Sequence, residues 1–66
     1  MTVGERIKSL REAKGWTRAK LARMVGVSQS IISLYESDEV EMSFFKAMCM
    51  SSAFGVSLEY LAGREK

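Results

Sequence analysis

Few side chains in this 66-residue chain can carry out covalent chemistry. It has no histidine and one cysteine, Cys49, so a thiol nucleophile would lack its usual base. One cysteine builds neither an intrachain disulfide nor a structural zinc site. No paired-carboxylate motif with a nearby base and no glycine-rich phosphate loop is present. Cys49 lies among methionines and reads as a small packing residue. These absences argue against an enzyme, and no cofactor, metal or small-molecule ligand is expected. What remains is recognition chemistry by amide, hydroxyl and guanidinium groups. Those groups gather in Arg18 to Ser37, RAKLARMVGVSQSIISLYES, where Ser28, Gln29 and Ser30 form a polar run.

The elements that position this run are helices. Proline is absent, and β-branched residues alternate over no long stretch, so five helices and no sheet are expected. Thr2 caps the first, with Glu5 three residues on as a capping box, and Ile7 and Leu10 on one face. Gly15 ends it. Thr17 caps the second, which turns Leu21, Ala22 and Val25 inward. Gly26 supplies the positive φ of a tight turn. Ser28 caps the third, with Ile32 and Tyr35 inward. A charged loop, Ser37 to Glu41, follows. Ser43 caps the fourth, whose packed side is read as Phe44, Ala47, Met48, Met50, Ser51 and Phe54. Gly55 stops it, Ser57 caps a short fifth helix from Leu58 to Ala62, and Gly63 ends that. The links are short, so the bundle is compact and angular rather than a coiled coil.

A chain of this length is one domain and buries only about 60% of its unfolded surface, so its stability margin is thin. Helix packing, helped by dimerisation, has to supply the stability. No apolar run approaches the ~18 residues of a membrane span. There is no secretory signal, and with one thiol the expected compartment is the cytoplasm. The net charge of +2 is unevenly spread. Residues 1–24 carry seven basic residues against Glu5 and Glu12, a net of +5, and residues 25–66 carry a net of −3. An anionic partner is expected to favour the N-terminal half.

Two short helices joined at Gly26 with a polar start to the second form a helix-turn-helix pattern. Together with ERIKSLREAKGWT, the fourth helix and GVSLEYLAG, this segment resembles the Cro/CI-type helix-turn-helix repressors of lambdoid phages and their bacterial relatives. The resemblance covers Glu5 to Gly63 and implies an all-α, five-helix, lambda-repressor-like DNA-binding domain. It implies a protein without catalytic chemistry whose partners are double-stranded DNA, through the major groove, and a second copy of itself.

By the same resemblance, Arg11 and Glu36 form a scaffold ion pair rather than a base contact. Gln29 is the leading base reader, because a primary amide pairs with adenine N6 and N7. Ser28, Ser30 and Ser33 face the same way. Ile32 takes the inward position, so Ile31 is expected to point outward with Leu34, toward thymine methyl groups. Thr17 and Arg18, at the start of the second helix, are expected to hold phosphate, and Arg18 could also reach guanine. Lys8, Lys14, Lys20 and Arg23 are weaker candidates. Leu58, Glu59 and Tyr60 are the expected dimer contact.

Two features depart from the pattern. The loop after the third helix carries Asp38, Glu39 and Glu41 where many relatives are basic, which implies fewer phosphate contacts. Phe45 and Cys49 are expected on the outer face of the fourth helix, where exposed apolar groups mark a partner surface. Both leave open a second reading, a protein-interaction module that has kept the fold and lost DNA affinity.

Overall fold

The computed structural model describes residues 1–63; the charged end at Arg64, Glu65 and Lys66 lies outside the described residues. The order is α1 (Val3–Ala13), α2 (Arg18–Val25), α3 (Gln29–Glu36), α4 (Phe44–Phe54) and α5 (Leu58–Leu61). Among the described residues there is no strand.

Each start is built the same way. Thr2, Thr17, Ser28, Ser43 and Ser57 sit in extended backbone, and each side chain accepts from the amide three residues on. Such a cap contributes about 1 kcal/mol, a large share for so small a chain. At α1 the box is complete: the Thr2 amide donates to Glu5 Oε1 at 2.8 Å. That bond, with the Thr2 side chain second, holds the Glu5 carboxyl below its ordinary value.

The core gathers Ile7 from α1, Leu21, Ala22 and Val25 from α2, and Ile32 and Tyr35 from α3. Met50 and Phe54 of α4 and Leu61 of α5 close it. α3 packs against both α1 and α2, while α4 bridges α2 and α5. Trp16, in the link between α1 and α2, stacks on Phe54 with ring centroids 5.5 Å apart. The short link is thereby tied to the far side of the bundle.

Gly4 lies buried where α1 meets the end of α3. A Cβ there would collide with the Tyr35 carbonyl oxygen and come within 2.6 Å of that of Glu36. The close approach lets the Gly4 amide donate to Asp38 Oδ1 at 2.9 Å, and Thr2 Oγ1 donates to Asp38 Oδ2 at 2.5 Å. Asp38 is left-handed, with φ 63°. Its amide donates to the Tyr35 carbonyl and that of Glu39 to the Leu34 carbonyl, which closes α3. One residue therefore closes α3 and receives the Gly4 amide and the Thr2 hydroxyl at the start of α1. Asp38 is exposed, yet its carboxylate is committed to the scaffold, unlike those of its loop neighbours Glu39 and Glu41.

The face of α4 also differs from expectation. Met50 and Phe54 are buried, and Ala47 and Cys49 are half-buried against the core. Phe44 is 70% exposed and Met48 48% exposed, so neither belongs to the packed side. Phe45 is exposed as expected, at 66%, but Cys49 is turned inward. The helix is apolar almost all round, so spacing alone could not choose its buried stripe. Packing against α2 and α5 made the choice.

Candidate nucleic-acid interface

The turn between α2 and α3 is set by Gly26, at φ 73° and ψ 38°. Its amide and that of Val27 both turn back to the Ala22 carbonyl. A side chain at Gly26 would be strained in this conformation. Lys46, from α4, reaches across: its Nζ lies 3.1 Å from the Val25 carbonyl oxygen and 3.4 Å from that of Gly26. A cation at the negative end of α2 is favourable, and here it also staples α4 to the turn. Sequence reading missed this contact. The lone lysine of an apolar helix was its only signal.

α3 is held from behind by Ile32, Tyr35 and Glu36, all buried. Ser28, Gln29, Ser30 and Ser33 are exposed. The Ser28 oxygen accepts from the Ile31 amide at 3.2 Å, which leaves its hydroxyl proton to donate outward. Leu34 is half-buried. Ile31 is half-buried too, but packs against the core cluster, contrary to the expectation that it points away. Adjacent positions on a helix lie 100° apart, so a wide apolar stripe accommodates both Ile31 and Ile32.

Behind the start of α2 sits a three-residue charge cluster. Glu36 is buried, and Arg11 Nε lies 2.6 Å from its Oε2. Arg11 Nη2 approaches Oε1 at 3.4 Å, and Nη1 donates to the Trp16 carbonyl at 2.8 Å. Arg18 joins from the first position of α2, its Nε 2.9 Å from Glu36 Oε1. Removing one partner from a buried ion pair costs about 3–5 kcal/mol, so this cluster anchors α1, α2 and α3 together. Arg18, expected from the sequence to hold phosphate, is also tied to the scaffold by its Nε.

The remaining basic residues divide. Lys14 and Lys20 lie 5.7 and 5.5 Å from the Trp16 ring centre, which gathers two cations at the corner between α1 and α2. Lys8 and Arg23 are exposed. Thr17 is exposed, with its hydroxyl oxygen accepting from the Lys20 amide at 3.0 Å. In the acidic loop, Glu39 accepts from Ser37 Oγ at 2.6 Å. Glu39 and Glu41 are exposed.

Leu58 lines a groove with Val3, Tyr35, Val40 and Met42, bordered by Asp38 and Glu41 of the acidic loop. Glu59 is exposed, and the Tyr60 ring lies 4.7 Å beneath the Arg6 guanidinium carbon. Among the described residues, no group of three or more His, Cys, Asp or Glu could hold a metal ion. No helix among them is long and apolar enough to cross a membrane.

Three comparisons bear on this arrangement. The chain is 31% identical over 65 residues to the immunity repressor protein of Bacillus phage phi105, covering 98% of this chain and 45% of the relative. It is 27% identical over 66 residues to the transcriptional regulator ImmR of Bacillus subtilis strain 168, covering 100% and 52%. The chain thus spans about half the length of these curated relatives. Its backbone matches the crystal structure of the P22 c2 repressor in complex with a synthetic operator, with a TM-score of 0.93 and 34% identity over 98% of both chains. The helix-turn-helix family model matches residues 7–61, and with the turn at Gly26 and five helices in this order, the chain belongs to the Cro/CI-type (XRE-like) helix-turn-helix family.

Proposed function

We propose that residues 1–66 act as one sequence-specific DNA-binding domain of a transcriptional regulator, of repressor type, that binds a palindromic operator as a homodimer. The observation that carries this reading is the exposed polar start of α3, at Ser28, Gln29 and Ser30, in a backbone that matches a repressor solved on its operator. α3 would enter the major groove. Gln29 pairs with adenine, Ser30 and Ser33 bond bases or backbone, and Leu34 meets a thymine methyl group. Thr17 and Arg18 hold the flanking phosphate backbone. Ile31, half-covered by the core, contributes only an edge.

Two such units span half-sites about 34–36 Å apart, related by a two-fold axis. Leu58, Glu59 and Tyr60 are the proposed contact between them. Regulation then follows from occupancy: a bound dimer blocks polymerase without chemistry and without a cofactor.

Selection from a random-sequence DNA pool at about 0.1 M salt, where phosphate contacts are still strong, tests the reading. An enriched inverted repeat is the expected result. No enrichment by a folded protein would overturn it. That outcome would favour the protein-interaction module, for which the exposed Phe44, Phe45 and Met48 of α4 speak.

A further inference from the structure

We infer that Glu36 is a positioning residue for DNA binding, because it holds Arg18 as a preset phosphate clamp at the start of α2. The inference rests on the function proposed above. One buried carboxylate here faces two guanidinium groups, so the cluster keeps a surplus positive charge. Arg11 is consumed by the scaffold: it bonds both Glu36 oxygens and the Trp16 carbonyl, and it is buried. Arg18 is not. Its side chain is 39% exposed against 3% for Glu36, and only its Nε is engaged by Glu36.

A guanidinium has five N–H donors in a rigid plane. With Nε fixed on Glu36, the outer edge, formed by the two Nη groups, keeps two parallel N–H donors in a set orientation. That edge suits two oxygens of one phosphate. The site lies at the first turn of α2, whose early amides add positive potential. A free surface lysine such as Lys8 loses its rotamer freedom when it binds. Arg18 has lost part of it on folding, so more of the contact appears as affinity.

This arrangement predicts an effect opposite in sign to simple charge counting. Removing a negative charge near a polyanion ordinarily tightens binding. Here Glu36→Gln leaves one neutral amide oxygen to be shared by two guanidinium groups, loosens the hold on Arg18 and weakens binding. The test is a double-mutant cycle of Glu36→Gln and Arg18→Ala. Affinity is read on the duplex selected by the wild-type chain, across a salt series, beside thermal unfolding of each variant.

Arg18→Ala is expected to weaken binding about tenfold and to reduce the log–log salt slope by about 0.9, one phosphate. Glu36→Gln is expected to weaken binding about three- to tenfold with Arg18 present, and not at all with Arg18→Ala. Tightening by Glu36→Gln in both backgrounds would overturn the inference, as would an Arg18→Ala chain that binds like wild type. If Glu36→Gln fails to fold, Arg18→Lys decides. It keeps the charge but has no Nε edge, so about tenfold weaker binding at an unchanged slope supports the clamp, and unchanged affinity refutes it. A wild-type chain that selects no duplex would instead sink the proposed function and this inference together.

Discussion

The amide of Gly4 donates to the carboxylate of Asp38 at 2.9 Å, joining the first turn of α1 to the residue that ends α3. The left-handed backbone of Asp38 aims the carboxylate, and the missing side chain of Gly4 lets the two helices close. Asp38→Ala removes a charged acceptor from two donors and is expected to cost about 1.5–3 kcal/mol by denaturant unfolding. Asp38→Gly should cost about 1 kcal/mol less than that, because glycine adopts this backbone freely. Equal losses in the two variants would mean that backbone strain at residue 38 contributes nothing. Gly4→Ala should cost about 1–3 kcal/mol or more, since the colliding atoms are backbone carbonyls with little room to shift.

Acid should loosen the same corner. The Glu5 carboxyl is held below its ordinary value by the Thr2 amide, then by the Thr2 side chain. A lowered folded-state pKa means that the box contributes its full stability above the unfolded value. The contribution disappears as pH falls through the folded value. A wild-type chain should therefore lose more stability than Glu5→Gln between neutral pH and the acid limb. Carbon-detected titration of Glu5 should show a midpoint below that of a free glutamate; a normal midpoint would remove the argument.

Substitutions on α4 separate its two faces. Phe54 is buried and stacks on Trp16, so Phe54→Ala should cost about 3–5 kcal/mol. Phe44→Ser and Met48→Ser, on the exposed side, should change stability by no more than about 0.5 kcal/mol. A large loss at Phe44 in a dilute monomer would place that face inward after all.

Lys46→Met keeps the length of the side chain and removes the cation from the Val25 and Gly26 carbonyls. The expected loss is about 0.5–1.5 kcal/mol. Hydrogen exchange should rise at Gly26 and Val27 and stay unchanged in α1. Uniform protection loss would show that Lys46 has no local effect on the turn.

For the proposed interface, Gln29→Ala should weaken specific binding by about 1–3 kcal/mol and relax preference at one base pair per half-site. If selection with Gln29→Ala returns the wild-type sequence at equal affinity, the register proposed for α3 is wrong. Glu39→Lys with Glu41→Lys should tighten nonspecific binding and steepen the salt slope, and an unchanged slope would place the loop away from the DNA.

The helices and their ends were legible in the residues. A Ser or Thr cap starts each helix and glycines close α2 and α4, because caps and left-handed turns depend on local chemistry over three or four residues. Ile7, Leu21, Val25 and Ile32 are buried in the core, as their spacing implies. The family was legible for the same reason, since the turn at Gly26 has local requirements.

What tertiary structure alone decided are choices among chemically equal options. α4 is apolar nearly all round, and only its neighbours turned Cys49 inward and left Phe44 and Met48 outside. Asp38 looked like one of three loop acids until α1 brought Thr2 and Gly4 against it from 36 and 34 residues away. Arg18 was legible as a candidate phosphate contact, but its ion pair with Glu36 exists only because α3 places that carboxylate behind it. A charge's partner depends on what folding carries within about 4 Å of it, and no local pattern encodes that.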